Sequence, residues 1–96
     1  GYVMPKSISY GHFAPGRLLM TAGVAAAISE SQILNVLRRH LSCDWGEVSK
    51  GDKALNDQAL KHEGRLVSTY CSNGRRLLII TEEDRSATTV MLADEY

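Results

Sequence analysis

The sequence has little that would direct the chain to nucleic acid or to a membrane. Its 96 residues include 11 basic and 11 acidic side chains and carry no net charge. Nucleic-acid binding therefore has no support, since phosphate contacts need an excess of Lys and Arg. No apolar run approaches the roughly 20 residues that cross a membrane, and the start lacks the pattern of a signal peptide. We expect a cytoplasmic protein with no membrane partner.

Cysteine is also scarce. Cys43 and Cys71 are the only two, and neither belongs to a Cys-x-x-Cys or Cys/His zinc pattern. One disulfide between them would also fit, but two reduced thiols in a reducing cytosol are the simpler interpretation. The sequence therefore predicts no metal site and no cofactor.

Prolines and aromatic residues are few and unevenly placed. Both prolines and three of the six aromatic residues lie within residues 1–15, which show no regular period. We expect residues 1–15 to form an irregular N-terminal arm that packs on the body or on a second copy. Residues 16–96 are expected to form a single α+β domain, since this length suits one modest core.

The strongest helical pattern covers residues 31–41, where apolar side chains share one face. Ser29 followed by Gln32 fits a capping box, so this helix should begin near Glu30. A shorter helix is expected over residues 22–28. A further helix is expected over residues 52–62, ended by Gly64. Its inner face is predicted to hold Leu55, Ala59 and Leu60.

After Gly64 the pattern changes to the alternation of strands. The predicted strands are residues 65–71, 75–81 and 87–92. Asn73-Gly74 is the strongest short signal for a hairpin between the first two. The apolar run of residues 77–80 is typical of a central strand covered on both faces. The fold class is thus α+β, with two to three N-terminal helices on a three-stranded antiparallel meander. Residues 17–20 fit either an extra strand or the lead into a helix.

One stretch stands out as a candidate site. His40 falls inside the apolar stripe of its helix, and Asp44 and the only Trp, Trp45, follow at the helix end. These three side chains are predicted to meet at one corner. His titrates near neutrality, although a satisfied core ring, a turn carboxylate and an apolar plug are the plainer interpretation. Three further candidates for this corner are Asn56, Tyr70 and Arg85.

Asn56 lies between apolar positions of its helix, so it either faces inward or stays on the surface. If it is buried it needs hydrogen bonds, and the backbone of residues 42–46 is the expected partner. Arg85 follows three acidic residues and has an equally plain interpretation as a member of a surface ion pair.

Two blocks of the sequence resemble a family of small bacterial proteins. The blocks are His40-x-Ser42-x-Asp44-Trp45-Gly46 and Thr81-Glu82-x-Asp84-Arg85-Ser86. Asp52, Asn56, Leu66, Tyr70, Thr88, Thr89, Leu92, Glu95 and Tyr96 also fit. The family is carried on plasmids, prophages and gene cassettes and is labelled "plasmid-related protein". It usually has Gly where this chain has Cys43. The resemblance implies a mobile-element origin and no particular reaction.

Three functions compete. A non-enzymatic binding module is favoured, since no nucleophile elbow, phosphate loop or zinc signature is present. It would bind a protein partner or a second copy, for instance as a homodimer through an exposed sheet edge. The order of elements is also similar to RelE-like ribonuclease toxins. In that case His40 would be the general acid or base, Arg85 or Arg76 would bind a phosphate, and Tyr70 would supply a positioning hydroxyl. The third possibility is a small-ligand or anion site at the His40–Asp44–Trp45 corner.

Overall fold

A mixed sheet of five strands forms one layer of the computed structural model, which describes the backbone of Tyr2–Val3 and residues 12–96. The strands are β1 (Tyr2–Val3), β2 (Arg17–Met20), β3 (Leu66–Ser72), β4 (Arg75–Thr81) and β5 (Ala87–Leu92). Their order across the sheet is β1-β2-β5-β4-β3. Each neighbouring pair is antiparallel except β2 and β5, which are parallel.

The predicted α+β class and the three-strand meander are confirmed. Residues 17–20 form a strand rather than the lead into a helix. β4 lies between β3 and β5, as predicted for the central strand. The Asn73-Gly74 turn has φ of 57° and 73°, as a two-residue hairpin turn requires. Within the arm predicted for residues 1–15, the backbone of Tyr2–Val3 pairs with β2, while Gly1 and residues 4–11 lie outside the described residues.

Three helices connect β2 to β3. They are α1 (Ala22–Ala27), α2 (Glu30–Leu41) and α3 (Lys50–His62). The predicted capping box at the start of α2 is present, with Ser29 and Gln32 each bonding to the other's backbone N–H. α3 begins two residues earlier than predicted, because the Ser49 hydroxyl accepts the Asp52 N–H at 3.1 Å and caps the helix.

α2 ends in a Schellman motif that depends on a left-handed residue. Cys43 has φ of 63°, and its N–H bonds to the His40 carbonyl at 3.0 Å. The Asp44 N–H reaches back to the Arg39 carbonyl at 2.9 Å. The position therefore suits Gly, and Cys43 holds a conformation that costs a side-chain-bearing residue about 1 kcal/mol.

The helices cover one face of the sheet. The larger core cluster joins the two earlier helices to the strands through Val24, Ile33, Leu37, Leu41, Leu77, Ile79 and Val90. A smaller cluster of Trp45, Ala59 and Leu66 lies under α3. None of the helices in the described part of the chain is long and apolar enough to cross a membrane.

The predicted inner face of α3 is wrong at one position. Leu55 is 64% exposed, whereas Asn56 is only 4% exposed. α3 contacts the edge of the sheet at β3, where a backbone hydrogen-bonding partner is needed more than an apolar side chain. Asn56 supplies that partner, and Leu55 is left at the rim beside Val67.

Candidate functional site

His40 is the centre of a buried chain of hydrogen bonds. α2 directs its ring onto the sheet, where Nδ1 meets the Ser68 hydroxyl and Nε2 meets the Thr81 hydroxyl at 2.9 Å. Thr81 Oγ1 lies 2.7 Å from Thr88 Oγ1, and Thr88 donates to the Pro15 carbonyl at 2.8 Å. The four polar side chains of this chain, His40 included, are each 0% exposed.

The donor and the acceptor of each of these hydrogen bonds can be assigned by starting from the Pro15 carbonyl at the end of the chain of bonds. The Pro15 carbonyl can only accept, so Thr88 donates to it and must accept from Thr81. Thr81 has then used its proton, so His40 Nε2 carries a hydrogen and donates to it. Nδ1 is left as the acceptor of the Ser68 hydroxyl. Burial lowers the pKa of His40 to about 3, so the ring is neutral around pH 7.

Aromatic rings close the remaining sides of His40. The His40 ring lies 5.4 Å from the Phe13 ring and 5.5 Å from the Trp45 ring, both edge to face. Trp45 is 3% exposed and donates its indole N–H to the Asp57 carboxylate at 3.2 Å. The predicted meeting of His40 and Trp45 is thus found, in a corner that is closed rather than open.

Asp44 does not join the His40 ring. Its carboxylate faces outward and holds Arg39 through bonds of 2.7 and 3.3 Å, which lowers the pKa of Asp44. Its carbonyl accepts the Tyr70 hydroxyl at 2.5 Å, and the Arg39 guanidinium lies 4.7 Å above the Tyr70 ring. Asp44 and Tyr70 therefore fasten the end of α2 to β3.

Arg85 is occupied by backbone carbonyls. Its guanidinium donates to Gly64 at 2.6 Å and to Ala59 at 2.8 Å, both at the end of α3. It also donates to Glu82 and Glu83 carbonyls of its own turn. The expected ion pair is replaced by these bonds, because the last turn of a helix leaves carbonyls without partners. Arg85 thus joins the end of α3 to the β4–β5 turn.

Asn56 pairs with β3 and not with residues 42–46 as expected. Its amide donates to the Val67 carbonyl at 2.8 Å and accepts the Val67 N–H at 3.1 Å. Two residues along, Thr69 is paired by the Trp45 carbonyl at 3.1 Å and the Glu47 N–H at 2.7 Å. The outer edge of β3 is therefore covered at Val67 and Thr69, so an exposed edge for self-association does not lie at these two residues.

Sequence reasoning missed the partners of His40. Ser68, Thr81 and Thr88 lie on the helix-covered face of the sheet, at strand positions opposite or next to one another. The signal that would have indicated this network is a hydroxyl residue on each of three strands, at positions that alternate with outward-facing residues and so face an inward His. Within the described residues no group of three His, Cys, Asp or Glu side chains is placed to hold a metal ion.

Within the described residues, two further surfaces lie outside this closed centre. The first, called here the open face, is the side of the sheet that the described helices do not cover. Its half-buried residues are Leu19, Val67, Thr69, Leu78, Thr89 and Met91, and Ile80 among them is only 2% exposed. The second, called the hairpin groove, lies between α2 and the end of the β3–β4 hairpin and has a volume of about 490 Å³. Its polar lining includes Gln32, Asn35, Arg39, Ser72 and Asn73, with Cys71 beside them.

Comparison of the chain with protein-family models, with curated proteins and with solved structures gave no match.

Proposed function

We propose that the chain is a non-enzymatic interaction module that binds a second protein surface through its open face. The first partner we assign to it is another copy of the same chain. The observation that carries the proposal is an apolar sheet face with no described helix on it. The side chains best suited to catalysis, in contrast, are engaged in hydrogen bonds that stabilise the fold.

The open face is a regular array across four strands. Leu19, Thr89, Ile80 and Val67 are cross-strand partners and form one row. Met91, Leu78 and Thr69 form a second row beside it. Ile80 is 2% exposed, although it belongs to neither of the core clusters under the helices. Leu55, 64% exposed, extends this apolar surface around the edge of the sheet.

The size and charge of this face suit a weak dimer. Four strands about 4.8 Å apart and about seven residues long at about 3.4 Å each span roughly 460 Å². Two copies would bury about 1,000 Å², the lower limit for a specific interface. A chain of zero net charge does not repel its copy. Charged residues at the ends of the strands, such as Arg76 and the Arg65–Glu82 pair, would form the polar rim.

The competing functions are less well supported by the geometry. A ribonuclease toxin would need His40 as an acid or base, but the ring is 0% exposed and both its nitrogens are bonded. Arg85 is bound to four carbonyls rather than free for a phosphate. A small-ligand or anion site at the corner would require His40 and Trp45 to be reached from solvent, and Trp45 is 3% exposed.

We also propose that the chain originates from a bacterial mobile element, as the resemblance implies. The two blocks that carry the resemblance touch each other, since His40 bonds to Thr81. Cys43 has a positive φ at the position where the family usually has Gly. The blocks therefore fit a shared fold without implying a shared reaction. Sequencing the flanking DNA tests this origin, with recombination sites or an integrase gene expected beside the coding region.

The experiment for self-association measures the mass in solution. We expect sedimentation equilibrium between 10 and 500 μM to give a dimer with a Kd of about 10–100 μM. Thr89→Lys places a charge at the centre of the open face and should leave a monomer. Ala25→Lys is the matched control, because it adds the same charge to an exposed position on α1 and should leave the dimer intact.

A wild-type chain that stays monomeric at 500 μM would contradict the proposal. So would a dimer that Thr89→Lys leaves unchanged, which would place the contact elsewhere. Circular dichroism and urea denaturation of Thr89→Lys check that it remains folded. Leu78→Lys, at another half-buried position of the same face, replaces Thr89→Lys if that variant unfolds.

A further inference from the structure

We propose that the hairpin groove binds an extended peptide segment of a partner protein, which pairs with the open backbone edge of β3 at Cys71. This site is separate from the open face and does not depend on self-association.

The outer edge of β3 offers three hydrogen-bonding positions. Ser72 and Arg75 flank the two-residue turn, so they form a hydrogen-bonded pair with β4. Every second residue back from Ser72 does the same. The N–H and C=O groups of Val67, Thr69 and Cys71 therefore point away from β4, toward the free edge.

Two of these three positions are already filled by the chain itself. Val67 is paired by the Asn56 amide, and Thr69 is paired by residues 45–47. The N–H and C=O of Cys71 have no hydrogen bond from any residue in the described part of the chain. One backbone position of β3 therefore remains able to add a strand, the usual way in which a sheet edge binds a peptide.

The hairpin groove adjoins this open position. Its far wall is the stripe of Gln32, Asn35 and Arg39 on α2, which spans about 10 Å because a helix rises about 1.5 Å per residue. Three residues of extended peptide have about this length. The near wall is formed by Cys71, Ser72 and Asn73 at the hairpin end.

The charges around the groove select an uncharged ligand. Asp44 holds the Arg39 guanidinium at 2.7 Å and cancels its charge. Glu47 accepts the Cys71 thiol at 3.4 Å, and Arg76 acts on the same thiol with the opposite charge, so the opening carries both signs. An anion therefore gains little here, whereas side-chain amides pair well with peptide groups. The chain contains this chemistry already, in the two bonds between Asn56 and Val67.

The test uses a phage-displayed library of random octapeptides, selected on the 96-residue chain. Selected peptides, made synthetically, should bind with a Kd of about 10–300 μM by fluorescence polarisation. Cys71→Pro removes the outward N–H and the thiol without breaking a bond to β4, and should weaken binding at least tenfold. Cys71→Ser keeps the N–H, removes the thiol and should bind within twofold of wild type.

Asn35→Ala gives a second measure that does not alter β3. It is exposed on α2, so the variant should fold normally and weaken binding three- to tenfold. Thr89→Lys, on the open face, should leave peptide binding unchanged even if it abolishes the dimer. Failure to enrich any peptide, or peptides that bind Cys71→Pro and Asn35→Ala as tightly as wild type, would overturn the inference.

Discussion

Two neighbouring sides of α2 face the same strand, β3. One side is buried in the core, and the other borders an open groove. On one side His40 contacts Ser68 of β3, and every polar atom of both side chains lies inside the core. On the other, the stripe that ends at Arg39 faces the end of β3 across an open groove. The residue types most often found in catalysis, such as His, therefore stabilise the fold in this protein. Plain polar side chains form the surface that a partner could reach.

The largest effect that separates the two sides is the pH dependence of stability. The pKa of His40 is lowered from about 6.5 to about 3 by burial, so the unfolded chain takes up a proton that the folded chain does not. The free energy of unfolding should therefore fall as the pH drops from 6.5, by about 1.4 kcal/mol per unit. The full loss, complete near pH 3, would be about 5 kcal/mol.

Urea denaturation between pH 7.5 and 4.5 measures this loss. His40→Gln is the reference, since it removes the titrating ring and keeps a donor and an acceptor. The difference between the two proteins should shrink by about 3 kcal/mol from pH 7.5 to 4.5. Parallel curves would mean that His40 titrates normally and that the closed network opens in solution.

Removal of the ring is the next largest change. His40→Ala leaves the hydroxyls of Ser68 and Thr81 without their partner and creates a cavity, so we expect a loss of about 4 kcal/mol at pH 7.5. Asn35→Ala, on the exposed side of the same helix, should change stability by less than about 0.5 kcal/mol. Equal losses of stability in the two variants would contradict the assignment of a structural role to His40 and not to Asn35.

Substitution of Arg85 tests whether the block of residues 81–86 also serves the stability of the fold. Arg85→Ala leaves the carbonyls at the end of α3 without their donor, so we expect a loss of about 2–3 kcal/mol by urea denaturation. Arg85→Gly should lose about 1 kcal/mol less, because residue 85 has φ of 61°. Arg38→Ala, on the exposed side of α2, is the control and should lose less than 0.5 kcal/mol. An Arg85→Ala protein as stable as this control would leave the guanidinium free for another role.

The smallest effect is expected at Cys43, where substitution by Gly should give a more stable protein than substitution by Ala. Cys43→Gly relieves the positive φ but loses the contacts of the half-buried thiol. Its comparison with Cys43→Ala, which loses the same contacts and keeps the strain, should isolate about 1 kcal/mol in favour of Gly. Thermal denaturation of the pair measures this, and equal melting temperatures would show that the turn relaxes.

Much of the fold could be predicted from local signals. Ser29 with Gln32 and Asn73 with Gly74 act within a few residues of chain, so they indicate a helix start and a hairpin directly. The parallel pairing of β2 with β5 could not be predicted this way, since it joins segments about 70 residues apart. The same is true of Asn56, whose partner Val67 becomes known only when α3 is placed beside the sheet edge.

The candidate site was predicted in part. His40 and Trp45 do meet, because the helical period places them near each other. The pattern could not indicate that Asp44 turns outward, since that follows from the Schellman turn at Cys43 and from the nearby Arg39. Nor could it indicate that Arg85 reaches α3, because its partners are backbone carbonyls, which leave no mark in the sequence.

The hydrogen-bond chain through His40 also sets when the core can form during synthesis. Its members are residues 15, 40, 68, 81 and 88, and the Thr88–Pro15 bond joins groups 73 positions apart. A growing chain on the ribosome therefore cannot complete this network until residue 88 has left the exit tunnel. Contacts so distant in sequence are made slowly. We expect this domain to fold only after residue 88 has emerged, with its apolar strands exposed to chaperones and proteases until then.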